Sequence, residues 1–479
     1  MTTARGATPP EASATVLVDA GRTSTDWWTV SIIVLATSLT GIGLSIMTVA
    51  FPAIAKAFPD ASPAKLSWIA NLFTIVGAAT LVPCGVLADR FGRKRMVLVG
   101  VALFTLGSLV GALAWSPAIL MLARTLQALG SSAYTPASAA LVISAFPAER
   151  MGTAFGVWAV SGGVSSSLGP ALGGAVIDAG GWPWAFWINL PAGLLILAVG
   201  PFVLPDVRAG VRRALPDPIG ALAVMVGVSA VVLGVVQSRQ WGWIDQRTFG
   251  SMLAGLAVLT WFVLRCRHHP NPLLELDLFR IPTMWRANLG TFLVAVTWFG
   301  ANWAVVQLTF REWGWTPLKA GVVTSPIALF SGVVGILAGR HAYRIGHRRL
   351  IIPGTVVMAA SFVWLWIGVS HEQSVLLIVL VSAVLGSATG LVYPSFIAAS
   401  MTDIPVHRHA IGTGINFMTQ RIGTTVGVAV AITLVAAAPA GDVIDGFHRA
   451  LVVAIVGTVA CFVMGCTLDT KRAHLAPPR

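Results

Sequence analysis

Apolar residues gather in long runs, and the polar stretches between them are short. Fourteen runs have about the length a helix needs to cross a bilayer, roughly 20 residues: Trp28–Phe51, Leu66–Leu87, Met96–Trp115, Ala118–Ala139, Gly152–Ile177, Trp184–Leu204, Ile219–Val236, Phe249–Leu264, Asn288–Phe310, Ala320–Ala338, Leu350–Val369, Val375–Ala399, Ala410–Leu434 and Ala450–Leu468. The pattern predicts an all-α integral membrane protein with fourteen transmembrane helices. An even number places both termini on one side of the membrane.

Composition narrows the class. Of 479 residues, 56% are hydrophobic and 10% charged, where a soluble domain carries roughly 25% charged residues. A soluble enzyme, a secreted disulfide scaffold and a disordered chain are excluded. The net charge of +13 invites a nucleic-acid partner, but its distribution points elsewhere. With the N-terminus inside, 22 of the 31 Lys and Arg fall on cytoplasmic loops and tails, seven on outer loops, and two, Arg124 and Arg421, within apolar runs. That three-to-one bias follows the positive-inside rule and predicts an inner (plasma) membrane protein with cytoplasmic termini and no nucleic acid. Cys84, Cys461 and Cys466 lie in apolar runs and Cys266 in the basic RCRHH, so all four read as packing residues. His268, His269, His407 and His409 lie in loops without accompanying Cys or carboxylates, and neither a metal nor a cofactor is expected.

The chain repeats itself. GVLADRFGRKR (Gly85–Arg95) follows the second run, and GILAGRHAYRIGHRR (Gly335–Arg349) follows the tenth, offset by 250 residues. Met151-Gly-Thr opens the fifth run and Ile411-Gly-Thr the thirteenth, offset by 260. The expected organisation is a flexible cytoplasmic tail (1–27), a six-helix bundle (28–204), basic loops with two inserted helices (205–287), a second six-helix bundle (288–468) and a second tail (469–479). Such parallel repeats place a site between the halves, and the inserted pair is expected outside both bundles.

Three motifs carry chemistry. In Gly85–Arg95, with Gly85, Asp89, Arg90, Gly92, Arg93 and Lys94, one carboxylate stands at a helix end among cations, fit to pair with an Arg and latch neighbouring helices. A basic loop that only sets topology is the plainer reading. In GVWAVSGGVSSSLGPALGG, small residues at Ser165, Gly169 and Gly173 allow close backbone approach, and Pro170 removes a hydrogen bond. Ordinary small-residue packing is the alternative. ARTLQALG puts Arg124 about 10 Å into a helix, where an Arg must face a wet interior or bond backbone carbonyls.

These stretches resemble the major facilitator superfamily, and within it the fourteen-helix drug:proton antiporter branch of multidrug efflux proteins. Gly85–Lys94 resembles its motif A, Arg124 and Gln127 its motif B, and Gly156, Ser165, Gly169, Pro170, Gly173 and Gly174 its antiporter motif C. WPWAFWINLPAG and SRQWGWID resemble the fourteen-helix branch in particular. The resemblance implies alternating-access export of lipophilic drug-like molecules coupled to protons, in a lipid-bounded monomer. Arg421 and the amides Asn71, Gln307, Asn416 and Gln420 are further candidates for the cavity.

The proton coupling meets an obstacle in the sequence. All 18 acidic residues fall in loops or tails, and Gly43 occupies the place where relatives carry a helix-1 Asp. The interior thus holds two permanent cations and no fixed anion, which favours neutral or anionic substrates. Rim acids, Asp89 or Asp178, are the candidates left for protons. A carrier without proton coupling, a lipid-handling carrier and, more remotely, a lipid-modifying membrane enzyme are the other readings.

Overall fold

The computed structural model describes residues 23–145, 165, 169, 172–206, 217–242, 244–270, 272–274, 276–405, 408–436 and 443–468. The tail beyond 468, most of the first tail, the basic stretch 207–216 and most of the fifth run lie outside the described residues, as do Gly156 and Pro170.

The first half contains α1 (Thr23–Ala57), α2 (Pro63–Phe91), α3 (Arg93–Ala112), α4 (Pro117–Ala145), a helical stretch at 172–180, α5 (Trp184–Trp187) and α6 (Asn189–Val203). The inserted pair is α7 (Pro218–Trp241) and α8 (Gln246–His268). The second half contains α9 (Pro282–Arg311), α10 (Pro317–Thr324), α11 (Pro326–Ile345), α12 (Arg348–Gly368), α13 (Val375–Met401), α14 (His409–Ala436) and α15 (Val443–Thr467). No strand occurs among the described residues, and twelve of the described helical spans are long and apolar enough to cross a membrane. The fourth, α4, is also 29 residues long but more polar, because it carries Arg124, Gln127, Ser131 and Ser132.

Local chemistry sets the ends. Ser62 caps α2 by accepting from the Lys65 amide, with Pro63 in the first turn. Gly92, at φ +100°, turns the chain sharply from α2 into α3, a conformation in which an L side chain is strained. Two runs that read as continuous are interrupted: Ile188 separates α5 from α6, and Ser325, just before Pro326, separates α10 from α11.

Neighbour relations recur in the two halves. α4 packs on α2 and α3, as α13 packs on α11 and α12. Between α3 and α4 the backbones nearly touch at Gly100 and Gly130, where an added Cβ would stand 2.7 Å from the Gly130 carbonyl oxygen. On the face bearing Gly85–Arg95, one hydrophobic core spans both halves, joining Leu81, Val82 and Leu141 to Ile397, Met401 and Ile411. On the opposite face the clusters are separate, one around Ile46, Leu66 and Phe186 and one around Leu308, Trp313 and Phe447. The halves are therefore closed together at the basic face.

Of the inserted pair, α7 packs on α2 and α14, one helix of each half, while α8 leans mainly on α7. Leu253, Leu256 and Trp261 of α8 face outward. Asp217 joins the two: it caps α7 through the Ile219 amide (3.1 Å) and accepts a two-pronged contact from Arg265 of α8 at 2.5 and 3.0 Å. Its hydrogen bonds from Arg265 hold the carboxyl down at about 2, against an ordinary 3.8. A depressed carboxyl stabilises the fold above its unfolded value and loses that contribution as pH falls through its folded value. The thermal stability of the purified protein should thus fall between pH 4 and pH 2, and Asp217→Asn should flatten that dependence. An unchanged acid profile in the variant would show that this pair contributes nothing.

Candidate functional site

Asp89 is buried at the end of α2. One carboxylate oxygen accepts from Arg93 Nη2 at 3.3 Å, and the other accepts from the Ile411 backbone amide at 3.1 Å. Ile411 lies in the first turn of α14, where amides lack partners within the helix and the helix dipole favours an anion. The carboxylate thus bonds across the two halves, 322 residues apart. The expected Arg partner comes from the start of the next helix, and the reach to the other half goes to backbone. Arg93 also donates to the Ala140 carbonyl (3.0 Å), and Lys94 donates to the Pro201 carbonyl (2.5 Å), so the turn is tied to α4 and α6. Arg90 is half-buried, and its Nη1 has no hydrogen-bond partner among the described residues. Gly85 is buried one turn before Asp89.

Arg124 is 1% exposed. Its Nε donates to the Ile69 carbonyl (3.2 Å), and its Nη1 donates to the Gly43 carbonyl (3.3 Å) and to Gln127 Oε1 (2.9 Å). Gln127 in turn donates to Ser108 (2.9 Å). Withdrawing an ion from water costs several kcal/mol, while hydrogen bonds to a charged group contribute about 1.5–3 kcal/mol each. Three such bonds offset the burial. They also tie α1 and α2 to α4.

Arg421 on α14 is half-buried and differs sharply. It makes no side-chain hydrogen bond or ion pair among the described residues, and its contact is the ring of Phe73, 5.6 Å from guanidinium carbon to centroid. Arg124 also lies over that ring, at 4.4 Å. One phenyl group of the first half therefore meets two cations, one from each half. A desolvated cation–π contact is worth about 2 kcal/mol, less than the cost of burying an unpaired ion. The Tyr134 and Tyr393 hydroxyls lie within electrostatic range of Arg421. Tyr134 shares a short hydrogen bond with Thr40, and the buried Tyr393 hydroxyl has no partner among the described residues.

The other candidates separate. Asn416 is fully buried within the second half, its amide nitrogen donating to Asn288 (3.0 Å) and Thr291 (3.1 Å) of α9. Asn71, Gln307 and Gln420 are half-buried without side-chain hydrogen bonds among the described residues. Ser165 and Gly169 face α1: a Cβ added at Gly41 would stand 2.5 Å from Ser165 Cβ, and one added at Gly169 would overlap Ser45. Gly173 approaches Ile46 as closely, whereas Gly174 has open space. Asp178 is exposed at the opposite end from Asp89. Sequence reasoning missed Phe73, which no motif marks, and the Asp217–Arg265 clamp, for which the Asp217-Pro218 helix start was a usable signal.

Two repeated helical halves closed at one face, with cations inside the apolar interior, define the architecture of a multi-pass membrane protein. The chain belongs to the Major Facilitator Superfamily, whose profile matches residues 33–262 and 287–478. It is 32% identical over 407 residues to the Multidrug resistance protein Stp of Mycobacterium tuberculosis, covering 83% of this chain and 75% of that protein. It is 27% identical over 417 residues to the Tetracenomycin C resistance and export protein of Streptomyces glaucescens, covering 87% and 77%. With the Probable actinorhodin transporter of Streptomyces coelicolor it shares 30% over 420 residues, 85% and 72% of the two chains. The fold is similar to that of the human organic anion transporter MFSD10 (TETRAN), with a TM-score of 0.66 at 14% identity over 92% of this chain and 99% of that one.

Proposed function

We propose that this chain exports lipophilic small molecules, neutral or anionic, across the inner membrane by alternating access, as a monomer with both termini in the cytoplasm. Relatives named for multidrug resistance and for tetracenomycin C resistance and export support the cargo class. The loop charges support the orientation, which makes the closed basic face cytoplasmic. Motif A then serves as the inner latch, motif C as the seam between the fifth helix and α1, and Arg124 as the brace that holds the first half.

The observation that carries the substrate preference is Arg421, a permanent cation in the interior with no counter-charge among the described residues. An anion is attracted there and a cation repelled. The resemblance implies proton antiport, for which Asp89 is the buried candidate. The absence of any Asp or Glu from the apolar runs favours the second reading, carriage without proton coupling. In proteoliposomes supplied with one anionic and one cationic fluorescent substrate, the anionic one should exit about ten-fold faster, a ratio that needs only ~1.4 kcal/mol of differential binding. Robust export of the cationic dye, driven by a pH gradient, would refute the preference and the uncoupled reading alike.

A further inference from the structure

We infer that the carrier is an anion exchanger, in which a monovalent inorganic anion, chloride, occupies Arg421 when the organic substrate has left and travels inward on the return stroke. The inference rests on the proposed carriage of organic anions and adds the ion that completes the cycle.

The argument begins from where Arg421 sits. It lies on α14, the helix whose first turn is held by Asp89, and touches Phe73 of α2 across the boundary between the halves. The groups placed around it are Arg124 and Phe73 of the first half, the Tyr134 hydroxyl engaged with Thr40, and Tyr393 of α13. None of them carries a negative charge at neutral pH. Alternating access requires the two halves to close around this region in every cycle. With an organic anion bound, the cation is neutralised as closure removes water. With the site unloaded, closure has to desolvate an unpaired guanidinium, and the sequence offers no intramembrane carboxylate to swing against it. The unloaded return is therefore slow, and an anion that accompanies it makes it fast.

Arg124 stays a cation but is solvated by its hydrogen bonds to Gly43, Ile69 and Gln127, whereas Arg421 makes none among the described residues and is the cation open to an anion. One monovalent anion pairs with the Arg421 guanidinium, and a more strongly hydrated divalent anion costs more to strip of water as the halves close. The exchange is balanced: one organic monoanion moves out, one chloride moves in, and no proton or net charge crosses.

The test starts from chloride alone. Proteoliposomes loaded with radiolabelled chloride should lose label on the order of ten-fold faster into external chloride than into gluconate. Nitrate should replace chloride outside and sulfate should not. Arg421→Gln should abolish the stimulation, and Arg421→Lys, which keeps the charge, should retain part of it. Chloride exit that ignores the external anion, or survives Arg421→Gln, overturns the inference. A second arm loads the anionic fluorescent substrate. If it exits equally fast into chloride and gluconate, exchange fails while the proposed cargo stands. If labelled chloride exchanges and the organic anion does not move, exchange stands and the proposed cargo fails.

Discussion

Asp89→Asn lowers efflux by about ten- to a hundred-fold while membrane insertion and abundance stay near those of the unaltered protein. The magnitude follows from the contact removed. The carboxylate bonds the Ile411 amide across the halves and Arg93 at its own turn. A hydrogen bond to a charged group is worth about 1.5–3 kcal/mol, and losing it shifts the balance against the state closed at the basic face by that amount. Asparagine keeps the shape and loses the charge, so the effect falls on the conformational balance. A second variant isolates the cross-half bond. Ile411→Pro deletes the amide donor within the first turn of α14, where proline is tolerated. If the bond is the latch, Asp89→Asn and Ile411→Pro each impair efflux and the double variant is little worse than either. Fully additive losses, or unaltered efflux from Asp89→Asn, would show that the latch lies elsewhere.

The case of Asp89 shows how far the sequence carries. Its motif, its helix end and its surrounding cations are all visible in Gly85–Arg95, because glycine and charge mark turns and topology directly. Its partner is a backbone amide 322 residues away, and backbone donors leave no side-chain signature. Arg124 was legible as a costly residue in need of carbonyls, but nothing identified those carbonyls as Gly43 and Ile69. Phe73 sits within an apolar run where one phenylalanine looks like another, and only the packing of α2 against α4 and α14 turns its ring toward both arginines. The tenth run read as one helix because its hydropathy is continuous, yet it splits at Ser325-Pro326, where the sequence did hold a Ser-Pro signal. Helix existence is written in hydrophobic length. Which face of a uniformly apolar helix meets which neighbour is not, since lipid and protein interior ask for the same residues.

Arg124 and Gly43 supply the other large effect. Arg124→Gln should reduce transport of neutral and anionic substrates alike, by at least about ten-fold, and should lower the thermal stability of the purified protein. The reason is structural: the guanidinium satisfies the Gly43 and Ile69 carbonyls and Gln127 Oε1 in a buried setting. Each buried acceptor left without a donor costs about 1–3 kcal/mol. Lysine should not restore the function, because a single ammonium cannot reproduce the planar fork that serves three acceptors on two helices and its own. Gly43→Asp tests the same spot from the opposite side. An added Cβ at Gly43 meets only the Phe104 ring edge at 3.4 Å, an ordinary contact, so the side chain is admitted beside Arg124. The new carboxylate pairs with Arg124 and lowers the interior charge from two cations to a net of one. Handling of a monovalent cationic dye should then improve, and stimulation of anionic-substrate exit by external chloride, which depends on Arg421, should persist. The decisive measurement is the paired dye assay across unaltered, Arg124→Gln and Gly43→Asp proteins. A selective loss of anionic transport in Arg124→Gln, with stability and neutral-substrate flux intact, would show that Arg124 binds the substrate itself and that its carbonyl contacts are incidental.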